Sequence, residues 1–390
     1  MIRALVPILG ITFIDIMGFS ILIPVLPYFA QHLHASPLTI GILFSTFAAC
    51  QLVAGPLWGN VSDRIGRKAV LVISQIGATL GWGLLAFSHT IVLVFLARII
   101  EGLSGGNISV TQAYVSDLVE PAKRSRAFGY VGGAFSAGFV FGPLIGYVLL
   151  RLGGYSAPFL GAAALQFLTL IITIVMLPES RSKDPLEKVA TFADITRSLS
   201  DPNVAPVLWQ KLAYSLGLYA WFAVLSLYLN AQFGFDLSRT MLFFSGWGVL
   251  SVILQLTIVG PMSDRFGDRG MSNIGIASCV ASFALVPFAH GWVTLCAVFV
   301  LFGLGMALSN PGITSLISNA APSNARGTIL GVASSLDNLS GVATPPLSTA
   351  MLQRFGSPYA GLVSFAFTFV ALVLGLSAAR RESVSLERET

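Results

Sequence analysis

Apolar residues fill this chain in runs long enough to cross a bilayer, and polar residues collect in the breaks between them. A span of the hydrocarbon core needs about 20 mostly apolar residues. Twelve runs qualify, at roughly 5–29, 38–59, 69–88, 91–117, 127–150, 156–177, 206–231, 239–261, 271–289, 292–318, 328–352 and 358–379. None shows the alternation that marks the strands of a membrane barrel. The pattern predicts an all-α membrane protein of twelve transmembrane helices. One break is long: Glu179 to Asn203 mixes Ser, Lys, Asp, Glu, Pro and Arg. It divides the chain into an expected six-helix bundle (1–178), a linker (179–203) with room for a short amphipathic helix, and a second six-helix bundle (204–390).

The two halves repeat. Gly59-Asn-Val-Ser-Asp63-Arg64-Ile-Gly66-Arg67-Lys68 returns as Gly260-Pro-Met-Ser-Asp264-Arg265-Phe-Gly267-Asp268-Arg269, an offset of 201 (260 − 59). Gly102 and Gly303, Pro121 and Pro322, Gly129 and Gly331, and Pro143 and Pro345 hold the same register to within one residue. Each copy is a charged, glycine-bearing turn between two apolar runs, so the chain reads as a duplicated helical bundle.

Composition agrees. With 55% hydrophobic and 10% charged residues and a mean hydropathy of +0.81 over 390 residues, the chain is no water-soluble globule, where about a quarter of residues are charged. The net charge of +5 does not point to nucleic acid. Lys and Arg gather in alternate loops: Arg3, Arg64, Arg67, Lys68, Lys123, Arg124, Arg126, Arg181, Lys183, Lys188, Arg197, Arg265, Arg269, Arg326, Arg380, Arg381 and Arg388 on one side, against Arg151, Arg239 and Arg354 on the other. The positive-inside rule then predicts both termini in the cytoplasm of a cell whose inner (plasma) membrane holds the protein. The first apolar run, too long for a signal peptide and interrupted by Asp15, reads as a retained span.

Cys50, Cys279 and Cys296 all lie in apolar runs, without disulfide or metal spacing. His32, His34, His89 and His290 fall near the outer helix ends. Nothing resembles a nucleophile–base pair, a metal cluster or a phosphate-binding loop, so neither an enzyme nor a cofactor is expected. The expected partners are a small-molecule substrate, protons and membrane lipids, and the protein is expected to act as a monomer.

Ionisable residues inside spans are functional candidates by default, since each costs about 2.5–3.5 kcal/mol on insertion scales. Asp15 is the foremost. A carboxyl group that is neutral in the apolar interior and ionised in water can carry a proton. Arg98 and Glu101 are neighbours on one helix face, available for proton coupling or for neutralising each other. Asp337 is a second candidate carrier, with no cation near it in sequence. Aromatic walls with a few polar groups suit a roomy ligand site. Among the many aromatics, Trp221, Trp247, Tyr214 and Tyr228 included, most are expected to pack or face lipid. Phe19, Gln51, Phe135, Tyr219, Asn310 and Asn338 are the expected substrate contacts.

The turn at Gly59 to Lys68 resembles the loop motif between the second and third helices of major facilitator superfamily transporters. That resemblance implies parallel six-helix repeats with substrate between them. It also implies that Asp63 and Arg67, beside Gly59, Arg64 and Gly66, pair with Asp117 at the inner end of helix four to clasp the outward-facing state. The second copy carries Asp268 in place of Arg67, so a weaker clasp is expected there. Gly129-x8-Gly138-x3-Gly142-Pro143-x2-Gly146 resembles the signature of the drug:proton antiporter branch, with Tyr147 where that pattern ends in glycine. Arg98-x3-Gly102 resembles a helix-four arginine motif linked to proton transfer.

Asp15-Ile-Met-Gly18 with Pro24-Val-Leu-Pro27 resembles the first helix of tetracycline-efflux proteins. The similarity continues through Gln51 to Ile76-Gly77-Ala78 and Leu84-Leu85-Ala86-Phe87-Ser88. Where tetracycline exporters carry acidic residues in helices three and nine and a histidine in helix eight, this chain has Gly81, Cys279 and Ser251. The resemblance thus implies proton-coupled export of hydrophobic drugs, tetracycline-like or multidrug. The alternative is a proton-coupled facilitator of a metabolite such as a sugar, siderophore or organic anion, with Arg98 as its central cation.

Overall fold

The computed structural model describes residues 2–105, 110–111, 114–115, 119, 124–179, 192–322 and 325–389, and those residues contain no strand. In chain order the long helices are α1 (Ile2–His32), α2 (Pro37–Ile65), α3 (Arg67–Ala86), α4 (Ile91–Ser104), α5 (Arg124–Gly153) and α6 (Ser156–Met176). A short helix, Phe192–Ser198, precedes α7 (Ala205–Phe233). The 49-residue run Leu237–Leu285 breaks at Gly267 (φ 66°, ψ 175°) into α8 (237–266) and α9 (268–285). Then come α10 (Trp292–Ala320), α11 (Arg326–Phe355) and α12 (Leu362–Glu389).

Local chemistry sets the ends. Ser36 accepts from the Thr39 amide at 3.2 Å ahead of Pro37, and Thr90 caps α4 through the Leu93 amide at 3.4 Å. Gly234 closes α7 in the left-handed region, where a side chain is disfavoured. The repeated turn uses glycine for the same reason: Gly66 has φ 100° and Gly267 φ 66°. Pro345 and Pro346 remove two amide donors inside α11. Around them Thr344 and Thr349 donate to the Ser340 and Pro345 carbonyls at 2.9 and 2.8 Å, the local satisfaction that lets proline sit within a membrane helix.

Among the described residues, nine stretches are long and apolar enough to cross a membrane. The difference from the twelve expected has a simple origin. α8 and α9 run together as one stretch, α4 is described only to Ser104, and α11 is diluted by Ser334, Ser335, Asp337, Asn338, Ser340 and Thr344.

The chain forms two compact units, one of residues 1–186 with 235–248, the other of residues 187–234 with 249–390. In the first, α1 lies along α5 and α3 along α6. A core of Ile8, Ile11, Val70, Leu71, Val110, Tyr114, Val115 and Leu177 fills one end, and the Tyr114 hydroxyl donates to the Pro178 carbonyl at 3.0 Å. In the second, α7 packs along α11 and α12. Its core is aromatic: Trp221 is wholly buried, with the Tyr228, Phe283, Phe299 and Phe302 rings 5.3–6.5 Å away. Trp221 and Tyr228 are therefore packing groups, and Trp247, wedged between Phe139 and Phe244, is another.

Candidate functional site

Asp15 sits half-buried near the middle of α1. The glycines of the helix-five motif meet α1 around it. A Cβ at Gly138 would lie 2.6 Å from the Phe13 carbonyl oxygen, and one at Gly142 would lie 1.8 Å from Ser20 Oγ and 2.6 Å from the Met17 oxygen. Ser20 uses the closeness, donating towards the carbonyls of Met17 (3.0 Å) and Gly138 (3.1 Å). Gly146 extends the contact to Ile21 and Met241, and Pro143 is buried within α5. Gly129 lies in the same helix. Gly138, Gly142 and Gly146 are thus brought onto one seam with the α1 turns that flank Asp15. Phe19 and Phe135 are both partly exposed side chains of this unit, at 37% and 42%.

Arg98 and Glu101 form an ion pair inside α4 with almost no exposure. Phe47 of α2 covers the guanidinium, 4.2 Å from Arg98 Cζ to the ring centroid. At Gly81 of α3 a Cβ would fall 2.4 Å from Glu101 Cγ. The space beside position 81 therefore holds a carboxylate-bearing side chain from α4. Gln51 approaches Gly105, whose Cβ would be 3.0 Å from Gln51 Nε2. Gly102 fits against Cys50 and the Phe47 carbonyl for the same want of space.

At the repeated turn, Gly59 offers its carbonyl to Ser62 Oγ at 2.7 Å, and the Arg67 guanidinium donates to the same Ser62 oxygen. Arg64 is exposed. Lys68 is tied across to the end of α6: its amide donates to Glu179 Oε1 at 3.2 Å and its ammonium to the Ile174 carbonyl at 2.8 Å. Asp117 and the Asp63 side chain lie outside the described residues. In the second copy Asp268 accepts from Ser263 at 3.4 Å, from Ser315, and from Asn319 Nδ2 at 3.4 Å. The turn is held to α10 by neutral donors around a carboxylate, an arrangement the sequence did not suggest.

Asp337 receives a cation after all. Lys211 Nζ of α7 lies 2.8 Å from Asp337 Oδ1, and Ser215 Oγ donates to the same oxygen at 2.5 Å. The sequence reading names only Arg98 as a central cation; Lys211 is a second one within the described spans. A lysine six residues into α7, within an apolar run, was the available signal. Tyr219 and Asn338 are half-buried on the two helices that carry this pair. Asn310, half-buried in α10, offers its carbonyl to Thr314 Oγ1 at 2.8 Å. Cys279, the helix-nine position, is buried against Gly305. Among the described residues no group of His, Cys, Asp and Glu could hold a metal ion.

A known family model, that described as the Major Facilitator Superfamily, matches residues 8–256 and again 211–389. The chain belongs to the major facilitator superfamily. As a member it is a multi-pass membrane transporter and not an enzyme. The tetracycline resistance protein, class D, of Salmonella ordonez is 31% identical over 345 residues, 87% of each chain. The class H tetracycline resistance protein of Pasteurella multocida is 28% identical over 88% of each. Multidrug resistance protein 2 of Bacillus subtilis (strain 168) is 27% identical over 86% of this chain and 85% of its own. Among solved superfamily structures, a bacterial homolog of the human lysosomal transporter Spinster aligns with a TM-score of 0.80 at 14% identity, covering 97% of this chain and 96% of its own. The human organic anion transporter MFSD10 (TETRAN) aligns with a TM-score of 0.72 at 21% identity, over 96% and 99%. These bear out the major facilitator fold.

Proposed function

We propose that this transporter exports hydrophobic small molecules, tetracycline-like or multidrug, in exchange for protons. The observation that carries the reading is the seam of Gly138 and Gly142 against the α1 turns on either side of Asp15, which ties the helix-five signature to the mid-span carboxylate. The relatives named for tetracycline and multidrug resistance support the substrate class. Substrate arriving from the cytoplasm or inner leaflet displaces a proton from Asp15. The bundles then alternate access, substrate leaves outside, and Asp15 is reprotonated there. Each proton moving inward contributes about 2.3 kcal/mol per 100 mV, enough for a gradient on the order of tens-fold. The buried Arg98–Glu101 pair fixes α4 against α2 and α3 beside this path, and Asp63, Arg67 and Asp117 form the clasp that sets the balance between facing states. The distribution of Lys and Arg supports residence in the inner (plasma) membrane with both termini in the cytoplasm, and the working unit is a monomer.

The test is uptake of tetracycline and of a fluorescent cationic dye into inside-out vesicles under an imposed proton gradient, comparing wild type with Asp15→Asn. Gradient-driven accumulation that the substitution abolishes supports the reading. Unaltered accumulation by Asp15→Asn overturns the role of Asp15. The second reading, a facilitator of a metabolite such as a sugar, siderophore or organic anion, draws on Lys211, a cation within α7; accumulation of neither compound favours it.

A further inference from the structure

Lys211 and Asp337 are not required by the exchange at Asp15, yet each is an expensive group within a membrane helix. Their pairing at 2.8 Å removes the net charge but leaves hydrogen-bonding capacity unused. Both contacts to the carboxylate, from Lys211 and from Ser215, fall on Oδ1; among the described residues Oδ2 accepts no hydrogen bond. An ammonium has three N–H donors, and Asp337 is the one partner Lys211 has among the described residues. The Asp337 side chain is 32% exposed and that of Lys211 13%. Membrane carboxylates face a bundle interior or a water-filled cavity and not lipid, so this exposed edge opens towards water. Ser215 and Tyr219 stand four and eight residues beyond Lys211, on the same face of α7.

We propose that Lys211 and Asp337 form a charge-paired subsite for a dipolar ligand: an apolar small molecule bearing an anionic and a cationic group close together. The spare ammonium hydrogens take the anionic end, Asp337 Oδ2 takes the cationic end, and the Tyr219 ring lies beside the apolar body. A singly charged ligand satisfies one partner and sets a like charge against the other, so the site discriminates by charge pattern as well as by size. A ligand that bridges the pair need not separate it, so no buried charge is left alone. This rests on the transporter reading above and names a substrate class for it.

Three probes share one ring system: 2-naphthylalanine (a zwitterion), 2-(2-naphthyl)ethylamine (a cation) and 3-(2-naphthyl)propionate (an anion). Their binding to the purified full chain in nanodiscs of zwitterionic lipid is measured at neutral pH without any gradient. The zwitterion is expected to bind at least tenfold more tightly than either analogue. Lys211→Met with Asp337→Leu, which leaves no unpaired charge, should bring the three affinities within about threefold of one another while monodispersity is kept. Tyr219→Ala should weaken all three. No zwitterion preference in the wild type overturns the proposal without using any variant, as does a preference that survives in the double variant. Because no gradient is applied, loss of driven export through Asp15 leaves this result unaffected, and the two readings fail separately.

Discussion

Ser263 donates to Asp268 at 3.4 Å across the turn between α8 and α9, whereas its counterpart Ser62 accepts from Arg67 in the first copy. One serine serves opposite roles because the charge beside it is inverted, and a hydroxyl can do either. In the second copy the carboxylate also gathers Ser315 and Asn319 from α10. Asp268→Ala should cost about 1–2 kcal/mol, since hydrogen bonds to a charged group contribute about 1.5–3 kcal/mol and this site is partly exposed. Asp268→Asn keeps one acceptor oxygen and should cost less. Thermal unfolding in detergent, ranked wild type, Asn, Ala, checks the order; equal melting of all three would show that the contacts contribute nothing.

The α1–α5 seam makes a sharper prediction. Gly142→Ala would place a methyl 1.8 Å from Ser20 Oγ and 2.6 Å from the Met17 oxygen, against backbone that cannot yield. Overpacking of this kind costs about 1–3 kcal/mol, and transport should fall at least tenfold. Gly133→Ala, on the same helix with nothing within 4 Å of its Cβ, should leave transport unchanged and raise stability by a few tenths of a kcal/mol or more through helix propensity. Paired vesicle-transport and melting measurements separate a packing effect from a general dislike of alanine.

For Arg98 and Glu101 the single substitutions should be worse than the double. Removing one partner of a buried pair leaves a lone charge, at a cost of about 3–5 kcal/mol, whereas replacing both with apolar groups is often near neutral. Arg98→Met should therefore reduce the monodisperse yield severely, and adding Glu101→Leu should restore it. If the restored double variant still transports against a gradient, the pair is structural; if it folds and does not, the pair takes part in coupling.

Asp15→Asn should retain counterflow, in which unlabelled substrate on one side drives labelled substrate inward with no proton gradient, while net uphill export is lost. Asp15→Glu keeps an ionisable group and should preserve a measurable part of uphill export. Counterflow assays in proteoliposomes read the first expectation directly. Loss of counterflow in the Asn variant would place Asp15 in substrate binding.

The repeat register placed Gly66 and Gly267 before any coordinates did, because a positive φ between two helices leaves few alternatives to glycine. Gly138 and Gly142 were likewise legible, since small residues at that spacing announce a close helix contact. Lys211 was not. Its partner comes from a helix more than a hundred residues away; even Ser215, one turn on from Lys211, is 122 positions from Asp337. Composition within a run says nothing about such a partner. The donors to Asp268 were hidden for a related reason: Ser263, Ser315 and Asn319 carry no charge, so a sequence read for opposite signs passes over them. The aromatic core around Trp221 was legible in kind, since most of the aromatics were expected to pack or face lipid, but which rings meet was not.

The contact of Gly142 with Ser20 has a mechanical consequence. With glycine on the α5 side of the contact and only the Ser20 side chain between the two backbones, its hydroxyl aimed at both, α1 and α5 cannot slide past each other by less than a turn without a clash. They are one stiff double rod. Any displacement of the α1 turns that flank Asp15 must carry α5 with it, so a force applied to one helix is delivered to two at once.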